Sequence, residues 1–243
     1  MTDANRYSRQ LPLLGENSPT LLASKTLLIC GLGGVGGYVL EALTRAGCAN
    51  FILVDADVFD ETNLNRQLLC TADCIGRAKA DVAKERVLAI NPSATVITEK
   101  LFLTEENIPE LLDKYKPDYI ADAIDNISAK LCLAVEAQKR GCGIISCMGT
   151  GNKLMSNAFE CVDISKTSVC PLAKVMRRLL KERGVKKLKV IYSKEIPLTS
   201  GRTVCSVSFV PPTAGFLMAE NIIKDLLGIN SKKTPLKQRR SDR

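Results

Sequence analysis

The chain has 243 residues with 46% hydrophobic and 25% charged residues and a net charge of +8, a composition typical of a globular α/β protein. No apolar stretch approaches the roughly 20 residues needed to span a bilayer, and residues 1–10 lack a signal peptide's apolar centre, so a cytoplasmic protein without membrane contact is expected. The absence of histidine and of any CxxC pair among ten cysteines excludes histidine general-base catalysis, and no structural zinc is expected.

Residues 26–57 contain the pattern of a first βαβ unit. An apolar run predicts a buried strand, a glycine-rich turn and a helix-period segment follow, and a second apolar run ends at Asp55. The turn glycines are expected to let the backbone approach a phosphate at the helix N-terminus. They are Gly31, Gly33, Gly34 and Gly36. Because strand, turn, helix and terminal acid agree, the stretch predicts a nucleotide-binding site.

Strand and helix patterns alternate up to about residue 149. Helices are expected within 1–25 and at 76–91, 104–115 and 127–141, with strands at 94–101, 118–125 and 142–149. Further strands, with antiparallel pairing, are expected at 157–164, 187–193 and 203–210, and helices at 170–184 and 212–228. The pattern predicts a Rossmann-like, mainly parallel sheet with helices on both faces and an antiparallel C-terminal extension. Residues 1–229 would form this single domain, followed by a basic tail at 230–243.

Polar residues after the second strand depart from the pattern of a dinucleotide-binding protein. Asp55 suits hydrogen bonds from ribose hydroxyls, in either a dinucleotide or ATP. The next loop supplies Asn63, Arg66 and Gln67, and the following helix begins with Lys79. These donors and cations fit a triphosphate, because the charge on departing pyrophosphate must be neutralised.

Asp125 lies at the carboxyl end of the expected fourth strand, at the edge where such sheets bind ligands. A carboxylate there suits Mg²⁺ held on phosphates. Taken singly, Asp125 is more typical of a helix cap, and Lys79 is more typical of an exposed helix face. The acid, the loop residues, the lysine and Asp125, in this order, favour a site for a nucleoside triphosphate with magnesium.

The motifs RYSRQ, GLGGVGG, DAD, NLNRQ, GRAK and DAIDN resemble those of the ThiF-type adenylating enzymes, a family that includes the ubiquitin-activating enzymes. The resemblance covers residues 6 to about 150. It implies that residues 26–150 bind ATP and that residues 151–229 face the substrate. The implied ATP contacts are the four glycines, Asp55, Asp57, Asn63, Arg66, Gln67 and Lys79, with Asp125 on the metal. It also implies a homodimer with shared active sites, in which Arg9 reaches the partner's ATP and acts in catalysis with Arg66, Lys79 and Asp125.

The stretch VDISKTSVCPLAKVMRRLLKERGV, with KVIYSKEIP after it, resembles the tRNA threonylcarbamoyladenosine dehydratases. That likeness implies ATP-dependent activation of the modified nucleoside's carboxylate as an acyl-adenylate, followed by ring closure in the anticodon loop. The basic segment would then contact tRNA phosphates. The candidate contacts are Lys174, Arg177, Arg178 and Lys181. A sulfur-relay protein is a further candidate partner.

Two other functions fit parts of the sequence. The chain could adenylate the C-terminus of a ubiquitin-like or sulfur-carrier protein, with Cys170 or Cys205 as a thioester cysteine. Those sulfur-carrier enzymes usually carry CxxC pairs, which this chain lacks. A nicotinamide-binding module without turnover would not need the cluster of Arg66 and Lys79. We therefore expect the tRNA-directed reaction.

Overall fold

A computed structural model describes residues 6–199 and 204–229 of the chain and places one seven-stranded sheet among them. The helices are α1 (Leu11–Leu14), α2 (Ser18–Ala23), α3 (Gly36–Ala46), α4 (Lys79–Ile90), α5 (Asn107–Tyr115), α6 (Ile127–Arg140), α7 (Pro171–Glu182) and α8 (Val210–Leu226). The strands are β1 (Thr26–Cys30), β2 (Asn50–Val54), β3 (Thr95–Glu99), β4 (Tyr119–Asp122), β5 (Gly143–Cys147), β6 (Phe159–Asp163) and β7 (Lys189–Ser193).

The strand order is β3-β2-β1-β4-β5-β7-β6, and every neighbouring pair is parallel except β6 with β7. The expected fold class is therefore confirmed, including the antiparallel strand near the C-terminus. β7 itself continues the parallel sheet beside β5. The predicted basic tail, 230–243, lies outside the described residues.

Helices cover both faces of the sheet because its central strands are apolar on both sides. Alternate residues of β1 show this: Leu27 and Ile29 belong to a core with α3, α4 and α8, whereas Leu28 and Cys30 pack with α5 and α6. A third cluster lies between α6, α7 and β7. Residues buried on both faces are characteristic of parallel sheets with helices on each side.

Helix α8 completes the core face that α3 begins. Its residues Ala214, Met218 and Ile222 are buried in the same cluster as β1. A Cβ on Gly215 would lie 2.6 Å from the carbonyl oxygen of Val35, so the two backbones approach closely. The apolar face of this helix thus belongs to the core. No helix in the described part of the chain is long and apolar enough to cross a membrane.

The prediction of a strand at 203–210 was wrong. Residue 203 lies outside the described residues, residues 204–207 have no regular structure, and α8 already begins at Val210. Asn152 takes the place of a neighbouring strand here. Its backbone N–H donates to the carbonyl oxygen of Cys205 at 2.7 Å, and its side-chain oxygen accepts from the N–H of Cys205 at 2.7 Å. The backbone and the side-chain oxygen of Asn152 therefore satisfy two backbone groups that a sheet would otherwise pair.

Candidate active site

The crevice between β1 and β4 lies at the point where the strand order reverses. From β1 the chain continues to β2 and β3 on one side, and from β4 it continues to β5 on the other. Open α/β sheets bind ligands outside the carboxyl ends of such strands. Gly31 follows β1, the loop to Lys79 follows β2, and Asp125 follows β4. The fold thus brings the predicted nucleotide and metal residues to one edge.

The glycine loop is packed too tightly for larger residues at two positions. Gly31 has a φ of +86°, and a Cβ there would lie 2.9 Å from the carbonyl oxygen of Ala123. A Cβ on Gly36 would come within 1.8 Å of the carbonyl oxygen of Gly31. Gly34 lies against Pro211 and Arg66, and Gly33 against the Gln67 amide. The turn therefore leads directly into the N-terminus of α3, the end of a helix at which an anion is stabilised.

Asp55 is fixed by two backbone N–H groups. Its carboxylate accepts from the N–H of Leu32 at 2.6 Å and from the N–H of Asp57 at 2.9 Å. Burial raises the pKa of Asp55 above its ordinary value, although these two N–H groups and the charge of Lys79 oppose the rise. The acid is thus tied to the glycine loop and stands at the end of β2, where a ribose hydroxyl could reach it.

Lys79 is buried, with 6% of its surface exposed, so its interpretation as an exposed helix residue was wrong. Its ammonium group donates to Asp57 at 2.9 Å, and the Asp57 side chain is half exposed. The backbone N–H of Lys79 also donates to the Asp57 carbonyl oxygen at 3.0 Å, which folds the loop back on itself. A desolvated cation beside an exposed carboxylate is well placed to meet a phosphate group.

The loop between these elements positions the other predicted phosphate residues. Asn63 is buried, and its side-chain oxygen accepts from the N–H of Asp60 at 3.3 Å. Arg66 donates to two oxygens of its own loop at 2.9 and 2.8 Å. Within residues 6–199 and 204–229, the buried Oε1 of Gln67 has no hydrogen-bond partner, and the Gln67 amide lies beside Gly33. A buried acceptor left unpaired beside the glycine loop fits a site that a polar ligand completes.

Asp125 is exposed at the mouth of the crevice. Helix α6 is capped by Asn126, whose side-chain oxygen accepts from the N–H of Ala129 at 3.0 Å, so the interpretation of Asp125 as the cap was wrong. In the described ranges, no group of three or more acids or cysteines could hold a metal ion. Magnesium on a nucleotide commonly takes one or two carboxylates, with phosphates and water completing its shell, so Asp125 suits it.

Comparison with known proteins agrees with this geometry. The model of the ThiF family matches residues 7–241. The chain belongs to the ThiF family.

Among ThiF relatives, the chain is 38% identical over 242 residues to the tRNA threonylcarbamoyladenosine dehydratase of Bacillus subtilis, covering 92% of this chain and 95% of that protein. The solved structure of the E. coli tRNA N6-threonylcarbamoyladenosine dehydratase, TcdA, in complex with ATP has a TM-score of 0.87 at 28% identity. It covers 95% of this chain and 97% of that one. A probable adenylyltransferase/sulfurtransferase, MoeZ, of Mycobacterium tuberculosis is 38% identical over 127 residues, only 51% of this chain and 32% of MoeZ.

Arg9 of this ThiF chain lies far from its own glycine loop. The neighbouring Gln10 donates to the carbonyl oxygen of Ala46, the last residue of α3, at 2.8 Å. Tyr7 packs against Gly47, just beyond the same helix end. Because α3 has 11 residues, it separates this end from the glycine loop by about 16 Å. Arg9 is exposed there.

The basic residues predicted on α7 divide into two kinds. Arg177 is half-buried and donates to the carbonyl oxygen and the hydroxyl of Thr167, and the exposed Arg178 pairs with Glu182 at 3.0 Å. Lys174 and Lys181 are exposed and have no ion pair in the described part of the chain. They lie seven residues apart, about 10 Å along one face of the helix.

The two cysteines considered for thioester chemistry differ in environment. Cys170 is buried, with 2% of its surface exposed, at the start of α7. Cys205 is exposed, and the next residue, Ser206, accepts through its carbonyl oxygen from the Asn65 side chain at 3.0 Å. The segment that contains Cys205 is thus joined to the loop of Arg66.

Two buried charged residues near Asp125 were not anticipated from the sequence. Asp122 at the end of β4 and Lys130 on α6 are completely buried and form an ion pair at 3.0 Å. Ser146 on β5 donates its hydroxyl to the same carboxylate. The available signal was an acid at the end of an apolar strand followed eight residues later by a lysine on the inner side of a helix.

Proposed function

We propose that this ThiF protein is an ATP-dependent tRNA threonylcarbamoyladenosine dehydratase. The observation that carries the proposal is the similarity to the Bacillus subtilis dehydratase over nearly the full length of both proteins. The similarity to MoeZ, in contrast, covers about half of this chain. The ATP-bound structure of the E. coli enzyme and the crevice at β1 and β4 both support a nucleotide at the glycine loop.

The reaction would proceed in two steps that conserve atoms and charge. First, a carboxylate oxygen of the modified nucleoside attacks the α-phosphorus of ATP, the bond from that phosphorus to pyrophosphate breaks, and an acyl-adenylate forms. The carbamoyl group of the same modification then attacks the acyl carbon and gives up one proton to solvent, and the acyl–oxygen bond breaks as AMP leaves. Overall, the nucleoside loses the elements of one water. The same elements of water are accounted for in the conversion of ATP to AMP and pyrophosphate.

Charge neutralisation and positioning are the chain's own contributions. Lys79 would supply a buried cation, and Arg66, whose side-chain stem lies beside Gly34, would supply a second cation for the negative charge that increases as pyrophosphate departs. Backbone N–H groups after Gly31 hold the phosphates, and Asp55 orients the ribose. Asp57 pairs with Lys79, and the Asp57 side chain is half exposed to water. Water can therefore solvate the Asp57 carboxylate when Lys79 turns to the phosphates. These roles need no histidine.

Asp125 is the residue proposed to hold Mg²⁺, which when bound would neutralise phosphate charge and orient the triphosphate. Asp125 is exposed and does not serve as the cap of α6. Asn63 and Gln67 would complete the polar wall around the phosphates. The side-chain NH2 groups would donate to phosphate oxygens, and the buried Gln67 oxygen, which lacks a partner in the described ranges, would accept from a hydroxyl of the ligand.

We propose that the chain forms a homodimer with shared active sites, and that Arg9 acts on the ATP bound by the partner subunit. Its place beyond the far end of α3, about 16 Å from its own glycine loop, supports action on the ATP of a second copy. Mixing inactive Arg9→Ala with inactive Asp125→Ala protein, with exchange of subunits, should restore part of the activity, because one hybrid site is intact. No recovery after demonstrated exchange would refute action of Arg9 in trans.

The exposed face of α7 is proposed to contact tRNA. Lys174 and Lys181 are available for phosphates, whereas the local bonds of Arg177 and Arg178 would have to rearrange. Each phosphate contact removed should lower the slope of log affinity against log salt by about 1. We expect this of Lys174→Gln and Lys181→Gln, with Lys84→Gln on α4 as the control. A cytoplasmic location and a sulfur-relay partner are further proposals.

The test of the proposed function is incubation with ATP, Mg²⁺ and tRNA that carries threonylcarbamoyladenosine. Mass spectrometry of digested nucleosides should show loss of one water from that nucleoside, with one AMP and one pyrophosphate formed. Omission of ATP is the control. An unchanged nucleoside, in protein shown by calorimetry to bind ATP, would refute the dehydratase assignment and favour adenylation of a carrier protein.

A further inference from the structure

The completely buried cluster of Asp122, Lys130 and Ser146 has no part in the proposed chemistry. Its ion pair is closed on one side by the Ser146 hydroxyl, which donates to the second carboxylate oxygen of Asp122. Buried ion pairs are weak contributors to stability, because desolvation offsets their attraction. A purely apolar contact could fill the same space. The contribution of this pair to stability therefore does not explain its presence, and its position beside the turn of Asp125 is the feature to explain.

The cluster holds the backbone turn that presents Asp125. The Lys130 ammonium donates to the carbonyl oxygen of Ile124 at 2.9 Å as well as to Asp122 at 3.0 Å. Asp122 in turn accepts from the N–H of Ile124 at 3.3 Å. Both polar groups of the residue before Asp125 are therefore fixed by side chains that water does not reach. On the other side, Asn126 is fixed as the cap of α6.

The same turn forms a wall of the glycine loop. The N–H of Ala123 donates to the carbonyl oxygen of Cys30 at 2.9 Å, and a Cβ on Gly31 would lie 2.9 Å from the Ala123 carbonyl oxygen. Asp125 and the phosphate-binding turn are thus set at a fixed separation by one rigid piece of backbone. A metal ion bridging a carboxylate and phosphates requires such a separation, because Mg²⁺ demands near-ideal octahedral geometry.

We propose that Asp122 and Lys130, supported by Ser146, are positioning residues that set Asp125 relative to the glycine loop for binding of magnesium-bound ATP. This inference rests on the proposed function, since Asp125 is the metal ligand only there. Neither residue touches ATP or substrate. Outer residues that orient metal ligands typically change metal affinity or activity by about 10- to 100-fold when replaced.

The experiment is calorimetry of ATP binding to the full chain at a series of Mg²⁺ concentrations, together with thermal unfolding. In Asp122→Leu/Lys130→Met, both charges are removed, so no buried ion is left unpaired. We expect a folded protein in which the Mg²⁺ concentration at half-saturation rises about 10- to 100-fold. Lys130→Arg, made in the otherwise wild-type chain, keeps the positive charge and the N–H donors. Its Mg²⁺ concentration at half-saturation should stay within about threefold of the wild-type value. Ser146→Ala, a milder change, should raise it several-fold if the double variant does not fold.

A matched control lies away from the site. Arg86 donates to Glu41 at 2.8 and 2.7 Å between α4 and α3, so Glu41→Gln/Arg86→Met removes another ion pair. It should lower the unfolding temperature and leave the Mg²⁺ dependence unchanged. Equal Mg²⁺ half-saturation in the wild type, the double variant and Ser146→Ala would overturn this inference alone. A wild type that binds no ATP would overturn the proposed function, and this inference with it.

Discussion

The glycine loop yields the sharpest prediction, because two adjacent glycines of α3 meet different surroundings. A Cβ on Gly36 would lie 1.8 Å from the carbonyl oxygen of Gly31, whereas real Cβ atoms essentially never approach a neighbour within 3.0 Å. In Gly36→Ala the turn must therefore open by about 1.2 Å. A Cβ on Gly37 would lie 3.5 Å from Leu69, an ordinary contact. Gly37→Ala is thus a matched control in the same helical turn.

The expected costs follow from these distances. Overpacking of this kind destabilises by about 1–3 kcal/mol, and a displacement of about 1 Å at a site costs about 100-fold in function. For Gly36→Ala we expect about 2 kcal/mol lower stability in urea unfolding and ATP binding about 100-fold weaker, which corresponds to about 2.7 kcal/mol. Gly37→Ala should be unchanged or more stable by up to about 1 kcal/mol, since alanine favours the helix. If both variants behaved alike in both assays, close packing would not be the reason for glycine at 36.

Three further predictions concern charge and thiols. Lys79→Ala should lower the rate of pyrophosphate release at least 100-fold with little change in unfolding temperature. Lys84→Ala, on the same helix, should release pyrophosphate at the wild-type rate. Near-normal turnover of Lys79→Ala would refute the role assigned to Lys79. Burial opposes ionisation of Glu41, but hydrogen bonds from two arginines outweigh it and lower the pKa of Glu41 from its ordinary value. The free energy of unfolding of the wild type should therefore exceed that of Glu41→Gln by about 1.5 kcal/mol at pH 7. This difference should vanish as the pH falls through the lowered pKa of Glu41. A difference that does not depend on pH would contradict the ion pair. Cys170→Ala and Cys205→Ala should each retain ATP-dependent water loss from the nucleoside, and loss of activity in folded Cys205→Ala would favour thioester chemistry.

The elements that the sequence predicted well are those whose information is local. The run from β1 through the glycines to Asp55 spans residues 26–55, and each part agrees with the next. Asn63, Arg66 and Asp125 come together because carboxyl ends of parallel strands share one edge, so their convergence needed only the strand assignment. Their roles at the phosphates and metal stay predictions.

The features that were missed depend on contacts between distant segments. Lys79 is buried because its loop folds back, with its N–H on the Asp57 carbonyl oxygen. The ion pair of Asp122 and Lys130 exists because α6 packs on β4. The expected strand at 203–210 is absent from residues 204–207, where Asn152, more than 50 residues earlier, satisfies the backbone of Cys205. Periodicity alone reports none of these pairings.

The place of α8 has a consequence for how the protein is made. Residues 210–226 leave the ribosome after every strand of the sheet, yet they cover the same apolar face as α3. Until they emerge, the nascent chain carries Val39, Ile145 and Ile191 on an open surface that invites aggregation. A message truncated after β7 would therefore encode all of the proposed ATP contacts and still yield a protein that chaperones retain or proteases remove.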